Sequence, residues 1–427
     1  MYKLLLITAF AVLLSACSAN LPSPANNSYS TKKYTSRAMV PGQLPAPQSI
    51  QSVQLYRKGN PTNPPVLRLD GSQSLVLAFD ELSDLSGQFR VTFTHHNRDW
   101  SLSSLPSNWH MEGRNELIIG GGERNRLAAP VYHHYKAEFP GDGINFTVSG
   151  NYMVHISDFA TGTRLFSLPF FVTENKGNIR SWVDTKYNAG ERYNALDRPF
   201  SEFIYPDSIE TPEFYLSFYF AQNRFWGDIR QSENYDFSDD EHAEFHLSER
   251  KAYPANYDFI TLNMDELSAN GQKIIDYQPD ITPPRIILRE DVLNFTSTPS
   301  IGWGTNVALP ETSRDARYAQ VRFRFTDGGR FTERQGVYLV GDFNQWLLSE
   351  DNKLSYNQES GYWEATSLIK EGSYTYKYAI KDGQEVDDLT LSDTITRQNQ
   401  EYTSFVFYRD PDMQYDRLLY VNFFYSE

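Results

Sequence analysis

The chain carries at Gly336–Ile380 the run GVYLVGDFNQWLLSEDNKLSYNQESGYWEATSLIKEGSYTYKYAI. Apolar and polar residues alternate in four short segments of this run, and clusters of Gly, Asp, Asn and Ser separate them. Such alternation between turn residues is typical of half-buried antiparallel strands, and several short strands in succession are typical of a β-sandwich. The run therefore predicts an immunoglobulin-like module with strands near 337–340, 354–356, 362–366 and 374–378.

The composition of the whole chain extends this interpretation. A length of 427 residues suggests two or three domains. Aromatic residues make up 15% of the chain, with 28 Tyr and 28 Phe, and these residues favour pleated, half-buried surfaces. The formal net charge of −15 argues against a nucleic-acid partner, whose phosphates require clustered Lys and Arg. We therefore expect an all-β protein that binds no nucleic acid.

The N-terminus has the pattern of a bacterial lipoprotein leader. Lys3 precedes an apolar run from Leu4 to Leu14, and Leu14-Ser15-Ala16-Cys17 follows it. We expect residues 1–16 to be a signal peptide that is removed and Cys17 to be lipidated. A lipid chain anchors a protein to a membrane without a spanning helix, so an outer-membrane, periplasm-facing lipoprotein is expected. Cys17 is the only cysteine, which leaves no internal disulfide.

The rest of the chain divides by composition and strand patterning. The fold class expected is all-β, with tandem immunoglobulin-like β-sandwich modules behind the signal peptide. Ser-, Pro-, Asn- and Ala-rich sequence after the cysteine predicts a flexible tether. The predicted parts are a tether at 17–48, an N-terminal β-sandwich at 49–175, a middle β-sandwich at 176–292, and a C-terminal early-set immunoglobulin-like domain with its linker and tail at 293–427.

Histidines are the most prominent candidates for metal ligands. His95-His96 and His133-His134 form two pairs, and imidazole is a usual ligand of zinc and copper. Neighbouring side chains on a strand point to opposite faces, so each pair offers one ligand to a common site. His242 and His246 lack the glutamate next to histidine that a zinc protease uses. We expect these histidines to be strand residues, with no metal and no cofactor.

No motif in the sequence predicts catalysis. Gly-x-Ser-x-Gly is absent, and Gly120-Gly121-Gly122 lacks the Lys-Ser/Thr of a phosphate-binding loop. Acidic residues are abundant, but their spacing singles out no glycosidase pair. We expect a protein that is not an enzyme; a hydrolase with unlocated carboxylates stays as the weakest alternative.

The quoted run is also similar to the glycogen-binding modules of branching enzymes and of kinase β subunits. The similar segments are Val337–Trp346, Gly372–Tyr378 and Lys381-Asp382-Gly383. Those modules stack sugar on two tryptophans, and Trp346 matches the first. The second is missing here, since Gln384 follows Gly383. Carbohydrate binding through Trp346 is therefore the alternative function.

Three groups of residues together resemble the plug protein family of the bacterial type IX secretion system. The resemblance covers most of the chain after residue 49, and its segments are Phe93–Leu105, then His134-Tyr135 with Phe139-Pro140 and Ser149–Tyr152, and finally Gly336–Ile380 with Asp416-Arg417-Leu418. It implies periplasmic β-sandwich domains without catalytic activity, which bind the outer-membrane translocon barrel and seal its periplasmic opening. The sequence departs from the family at His96, where the family has cysteine, and the middle domain is only loosely similar.

A plug requires a surface that contacts the barrel. Buried aromatic anchors dominate the energetics of many protein interfaces, which makes Trp100, Trp109 and Trp226 candidate partner contacts. The competing interpretation is that tryptophans in sandwiches belong to the core.

Overall fold

The structure is a computed structural model. It describes residues 36–126, 130–141, 143–187, 195–239, 242–264, 273–292, 308–313, 315–326, 336–383, 385–389 and 397–426. The predicted signal peptide and Cys17 lie outside these residues, so both stay predictions. From residue 35 onward the chain forms one compact unit. Within the described residues, no helix has both the length and the apolar character needed to cross a membrane.

The N-terminal domain is a sandwich of two sheets. Its sheet orders are β1-β3-β8-β7 and β2-β11-β10-β4-β6, and β5 pairs with β9 beside them. Alternation places Phe89, Val91 and Phe93 of one strand in the core. The strands are β1 Ile50–Arg57, β2 Val66–Arg68, β3 Leu75–Glu81, β4 Gln88–His96, β5 Met111–Gly113, β6 Glu116–Gly120, β7 Glu123–Arg124, β8 His133–Phe139, β9 Ile144–Phe146, β10 Gly150–Asp158 and β11 Arg164–Thr173, with the one-turn helix α1 at Ser107–His110.

The middle domain begins directly after the N-terminal one. Its first elements are β12 Asn178–Tyr187, β13 Ala195–Ile204, α2 Pro212–Tyr215, β14 Leu216–Gln222, β15 Arg230–Gln231, β16 Asn234–Asp239, β17 His242–His246 and β18 Tyr253–Pro254, with 3-10 turns at Trp226–Asp228 and Glu249–Lys251. One sheet has the order β12-β13-β17-β16, and β18 also pairs with β13. Strand β14 begins at Leu216 directly after the helical turn α2, which starts at Pro212.

The third module, which we call the inserted domain, is again a two-sheet sandwich. Its strands are β19 Ile260–Asn263, β20 Ile274–Gln278, β21 Arg285–Leu288, β22 Asp291–Val292, β23 Leu309–Pro310, β24 Tyr318–Thr326, β25 Gly336–Gly341, β26 Ser355–Asn357, β27 Tyr362–Lys370, β28 Gly372–Asp382 and β29 Glu385–Asp387, with 3-10 turns at Asp342–Asn344 and Glu350–Asn352. One sheet is built on β28, which pairs with β19, β23, β25 and β29, and the other has the order β20-β21-β24-β27-β26, with β22 beside β24. The four predicted strands of the quoted run correspond to β25–β28.

The last two strands, β30 Glu401–Arg409 and β31 Asp416–Tyr425, return to the middle domain. They complete its second sheet in the order β15-β14-β30-β31. The backbone N–H of Gln398 donates to Ala255 at 2.8 Å, so the chain re-enters the middle domain where it left. The middle domain is thus discontinuous and the third module is inserted into it. This differs from the predicted division at residue 293, because β19–β22 belong to the inserted domain and β30 and β31 do not.

The all-β fold of tandem sandwiches is confirmed. The described part of the predicted tether, residues 36–48, contacts all three domains. The hydroxyl of Ser36 donates to the Gln345 carbonyl at 3.1 Å, Gly227 N–H donates to the Arg37 carbonyl at 2.8 Å, and Ser167 N–H donates to the Leu44 carbonyl at 2.9 Å. This segment is therefore packed structure that links the domains.

Candidate functional site

The N-terminal–middle junction is formed by one face of each domain. The outer face of β10 and β11 packs on the sheet of β14, β30 and β31. The Phe171 ring lies 5.0 Å from Trp226 and 5.1 Å from Phe405, and Trp100 lies 5.6 Å from Phe171. The buried cluster comprises Val40, Val66, Trp100, Met153, Phe171, Ala221, Trp226, Phe405, Phe407 and Leu418.

Two of the three tryptophans predicted as partner contacts therefore lie inside the molecule. Trp100 and Trp226 are 6% and 8% exposed, since the two domains cover them. Trp109, on α1, is 51% exposed and is available to a partner. The sequence gives no sign of this difference, because burial at a junction depends on how domains pack.

The segments that carry the family resemblance meet at the polar rim of this junction. Arg98 contacts Asp416 twice, through its backbone N–H at 3.0 Å and through its guanidinium at 2.9 Å. The guanidinium of Arg417 forms a bidentate pair with Glu174 at 2.7 and 2.8 Å. Segments distant in sequence are thus joined by charge-assisted hydrogen bonds, which are the stronger kind. Their role in the structure is to hold the two domains together.

Histidines lie at the same junction. His95 Nε2 bonds the Ser149 carbonyl at 3.1 Å, and its ring packs 5.7 Å from Tyr415 of the β30–β31 turn. Burial lowers the pKa of His95 to about 3, although its bond to Ser149 opposes the shift. His96 Nδ1 bonds the Trp100 carbonyl at 2.8 Å. No group of three or more potential ligands is arranged around a metal position among the described residues.

The N-terminal–inserted junction contains a buried ion pair. Lys370 donates to Asp80 at 2.8 Å, and the two side chains are 2% and 0% exposed. Tyr318 donates to the same carboxylate oxygen at 2.7 Å, and His134 Nδ1 bonds its other oxygen, also at 2.7 Å. The Lys370 ammonium also lies 4.4 Å from the ring centroid of Tyr132. Burial alone would raise the pKa of Asp80, but its bond to His134 and the Lys370 charge lower it.

The middle–inserted junction covers Trp346. Its ring packs 5.2 Å from Phe225 and 5.3 Å from Phe259, and 3% of it is exposed. Its indole N–H donates to Asp342 at 3.0 Å. Burial raises the pKa of Asp342 to about 6, although the hydrogen bonds that it accepts from Thr375 and Trp346 lower the pKa. Trp346 thus has no exposed ring face of the kind that stacks a sugar.

A cavity of about 140 Å³ lies where the three domains meet. Its lining includes Leu55, Leu168, Trp226, Arg224 and Asp342. The two charged side chains are occupied: Arg224 forms a bidentate pair with Glu401 at 2.6 and 3.0 Å, and Asp342 accepts from Thr375 at 2.6 and 2.8 Å. The charged groups of this cavity therefore serve the packing of the domains.

The protein is therefore of the all-β class, with three sandwiches joined into one unit by buried junctions. A family model described as "Type 9 secretion system plug protein 1st domain" matches residues 50–174, the N-terminal domain. This match shows that the N-terminal domain is similar to the first domain of type 9 secretion system plug proteins. The predicted resemblance is confirmed, and the match associates the protein with type 9 secretion and the cell envelope.

The solved structures extend the comparison of the fold. A crystal structure of a hypothetical protein from Parabacteroides merdae ATCC 43184 has a TM-score of 0.77 at 20% identity, covering 90% of this chain and 99% of that one. At this identity the likeness shows the fold alone, and it extends over all three domains. No curated protein matches the chain.

Two other solved structures have much lower scores. The C-terminal domain of the Streptococcus agalactiae AgI/II polypeptide BspA has a TM-score of 0.17 at 8% identity, covering 87% of this chain and 98% of that one. Dimeric latent PorU from Porphyromonas gingivalis has a TM-score of 0.16 at 9% identity, covering 88% of this chain and 34% of that one. Scores this low support no conclusion about the present chain.

Proposed function

We propose that this protein is a non-catalytic component of type IX secretion that binds the outer-membrane translocon barrel and seals its periplasmic opening. The family of the N-terminal domain supports this role. The observation that carries it is the packing of three sandwiches into one unit. A seal over an aqueous pore has to keep its shape, and buried junctions between domains provide that rigidity.

The junctions suit this task because each joins segments that are far apart in the chain. Asp80 and Lys370 are 290 residues apart, and Arg98 and Asp416 are 318 apart. Such contacts prevent one sandwich from turning against the next. Domains connected only by linkers move relative to one another by default, and a plug built in that way would leak.

The barrel contact is proposed to include Trp109. Its side chain is 51% exposed at the end of the N-terminal domain, and Leu102, in the loop before α1, is 68% exposed. A large exposed aromatic ring is the type of side chain that becomes an anchor once a partner covers it. Trp100 and Trp226 are not part of this proposal, since the junction buries them.

Affinity purification of the full chain from its own outer membrane in mild detergent tests the proposal. We expect a very large β-barrel protein in stoichiometric amount with the wild-type chain, and at least about tenfold less with Trp109→Ala, since anchor residues contribute about 2 kcal/mol or more. Tyr356→Ala is the matched control, because Tyr356 is a 42% exposed aromatic residue of the inserted domain. Absence of the barrel from the wild-type sample would reject the function, whereas equal recovery with both variants would reject only the Trp109 contact.

Lipidation of Cys17 is proposed to hold the protein at the outer membrane. A diacylated cysteine carries two acyl chains, which anchor a protein stably, whereas a single chain gives only marginal binding. We expect Cys17→Ser to remove the protein from the outer-membrane fraction and to remove the acyl mass from the purified chain. A variant that stays in the outer-membrane fraction when the barrel is deleted would contradict the anchor.

A further inference from the structure

The middle domain has a long sheet edge that no described strand covers. Strand β12 is the outermost strand of its sheet and pairs with β13 over ten residues without a register shift. In the described part of the chain, no strand pairs with its other side. Straight, regular edges of this length are sites where another strand adds.

The charged residues of β12 share the outer face of the sheet. Ser181 lies on the inner face, because its hydroxyl bonds Asn422 of the opposite sheet at 2.9 Å. Side chains alternate along a strand, so Arg180, Trp182 and Asp184 lie on the outer face. Arg180 and Asp184 are both exposed, and Asp184 also accepts from Arg198 of β13 in the same chain at 2.6 Å.

Aromatic rings form a row across this face, but their arrangement does not suit a sugar. Trp182 stacks on Phe200 with centroids 5.5 Å apart and planes within 15°, and Phe200 stacks on His246 at 4.5 Å. Arg180 lies 5.6 Å from the Trp182 centroid. The ring faces that a sugar would need are thus occupied by neighbouring side chains, which leaves the strand edge as the feature open to a partner.

The sequence of β12 is complementary to itself in the antiparallel direction. If two copies meet with Trp182 opposite Trp182, Arg180 of each copy lies opposite Asp184 of the other, and Asn178 lies opposite Lys186. Opposite charges at directly facing positions stabilise a strand pair, and like charges destabilise it. A slip of one residue pair in one direction places Arg180 opposite Lys186, and a slip in the other direction places it opposite Trp182. The charges therefore select one register.

We propose that β12 pairs antiparallel with β12 of a second copy of this chain, with the two-fold axis at Trp182. The interface is isologous, since the same surface is used by both copies. The two sheets then continue into one across the axis, and the unpaired backbone groups of the edge gain partners. This proposal does not depend on binding to the translocon.

Sedimentation equilibrium of the chain from residue 17 onward, carrying Cys17→Ser, tests the dimer without a lipid or a leader. We expect a reversible dimer, and Arg180→Asp is expected to raise the dissociation constant at least about tenfold, because two attractive pairs become repulsive. An equimolar mixture of the Arg180→Asp and Asp184→Arg variants restores opposite charges at both facing pairs and should recover the dimer, although each variant alone should not form it. Because the mixture contains the same two chains, repulsion inside each sheet is unchanged by the mixing. Arg68→Asp, at an exposed position of β2, is the control and should have no effect.

A cross-link checks the register itself. In the Cys17→Ser chain, Trp182→Cys places two thiols directly across the axis, where a short bis-maleimide should join them, whereas Tyr187→Cys places them at opposite ends of the strand pair. A monomer at every concentration overturns the proposal. A dimer that mixing the two charge variants does not rescue, or that cross-links equally well at both positions, overturns the β12 register.

Discussion

The N-terminal domain meets its two neighbours through junctions of opposite chemistry. Against the middle domain it uses an apolar cluster around Phe171 with ion pairs at the rim. Against the inserted domain it buries the Asp80–Lys370 pair with Tyr318 and His134 around it. Apolar contact is non-directional and scales with buried area, while a buried charge is stable only with its partner in place. The second junction therefore depends more strongly on single residues.

The largest effect is expected from Lys370→Met. It leaves the Asp80 carboxylate buried without its cation, which costs about 3–5 kcal/mol. Calorimetry and hydrogen exchange of β3 and β27 would report the loss of that junction. Lys353→Met is the control, since Lys353 is 42% exposed and surface substitutions change stability by about 0.5 kcal/mol or less. Equal unfolding temperatures of the two variants would show that the ion pair does not hold the junction.

A smaller and less selective loss is expected from Met153→Ala in the apolar cluster. Met153 is 1% exposed, and truncation of such a side chain costs about 2–5 kcal/mol according to how far the cavity collapses. Met413→Ala, 37% exposed in the β30–β31 turn, should be nearly neutral. Calorimetry of both variants measures the difference. Unequal protection of β11 and β30 from hydrogen exchange in the wild type would contradict a cooperative junction.

The two junctions should lose stability at different pH values. The unfolded chain binds a proton at His95 near pH 6.5, whereas the folded pKa is about 3. Stability therefore falls as the pH drops below about 6.5, by about 1.4 kcal/mol per pH unit for this histidine. The pKa of Asp80 is lowered below its ordinary value, so its contribution persists until the pH falls below about 3.8.

Hydrogen exchange at pH 5 tests this order. Amides of β30 and β31 should lose protection before those of β27, and His95→Gln should reduce the pH dependence between pH 6.5 and pH 4 while leaving stability at pH 8 less affected. Simultaneous loss at both junctions, or an unchanged slope in the variant, would contradict the role of His95.

The smallest effect is expected from Arg98→Ala at the rim. The Arg98 side chain is 34% exposed, and Asp416 keeps the Arg98 backbone N–H at 3.0 Å and Arg409 at 3.4 Å. We expect a loss of about 1 kcal/mol, typical of one hydrogen bond removed from a group that keeps others. A loss as large as that of Lys370→Met would show that the rim, and not the apolar cluster, holds the two domains.

The sequence was sufficient for the fold class and for the strands of the quoted run, because period-two alternation is a local signal. The connectivity of the domains could not be predicted from the sequence. Strands β30 and β31 alternate in the same way whichever sheet they join, so their pairing with β14 has no local signature. The apolar residues at 417–425 were the one sign that the tail is a buried strand.

The candidate contacts could be only partly predicted from the sequence, for the same reason. The sequence does not distinguish Trp100, Trp109 and Trp226 from one another. Only the packing of the N-terminal domain on the middle domain buries two of them. Trp346 matched a sugar-module position by its neighbours in the chain, but Phe225 and Phe259 of other segments cover it. Burial at a junction between domains is decided by long-range contacts, which no sequence pattern encodes.

The most direct test of the proposed function is the electrical conductance of the purified translocon barrel in a planar bilayer. Addition of the protein on the periplasmic side should close the open channel, and the Lys370→Met variant, with its junction weakened, should close it incompletely. A barrel that binds the wild-type protein stoichiometrically and conducts as before would contradict the sealing role.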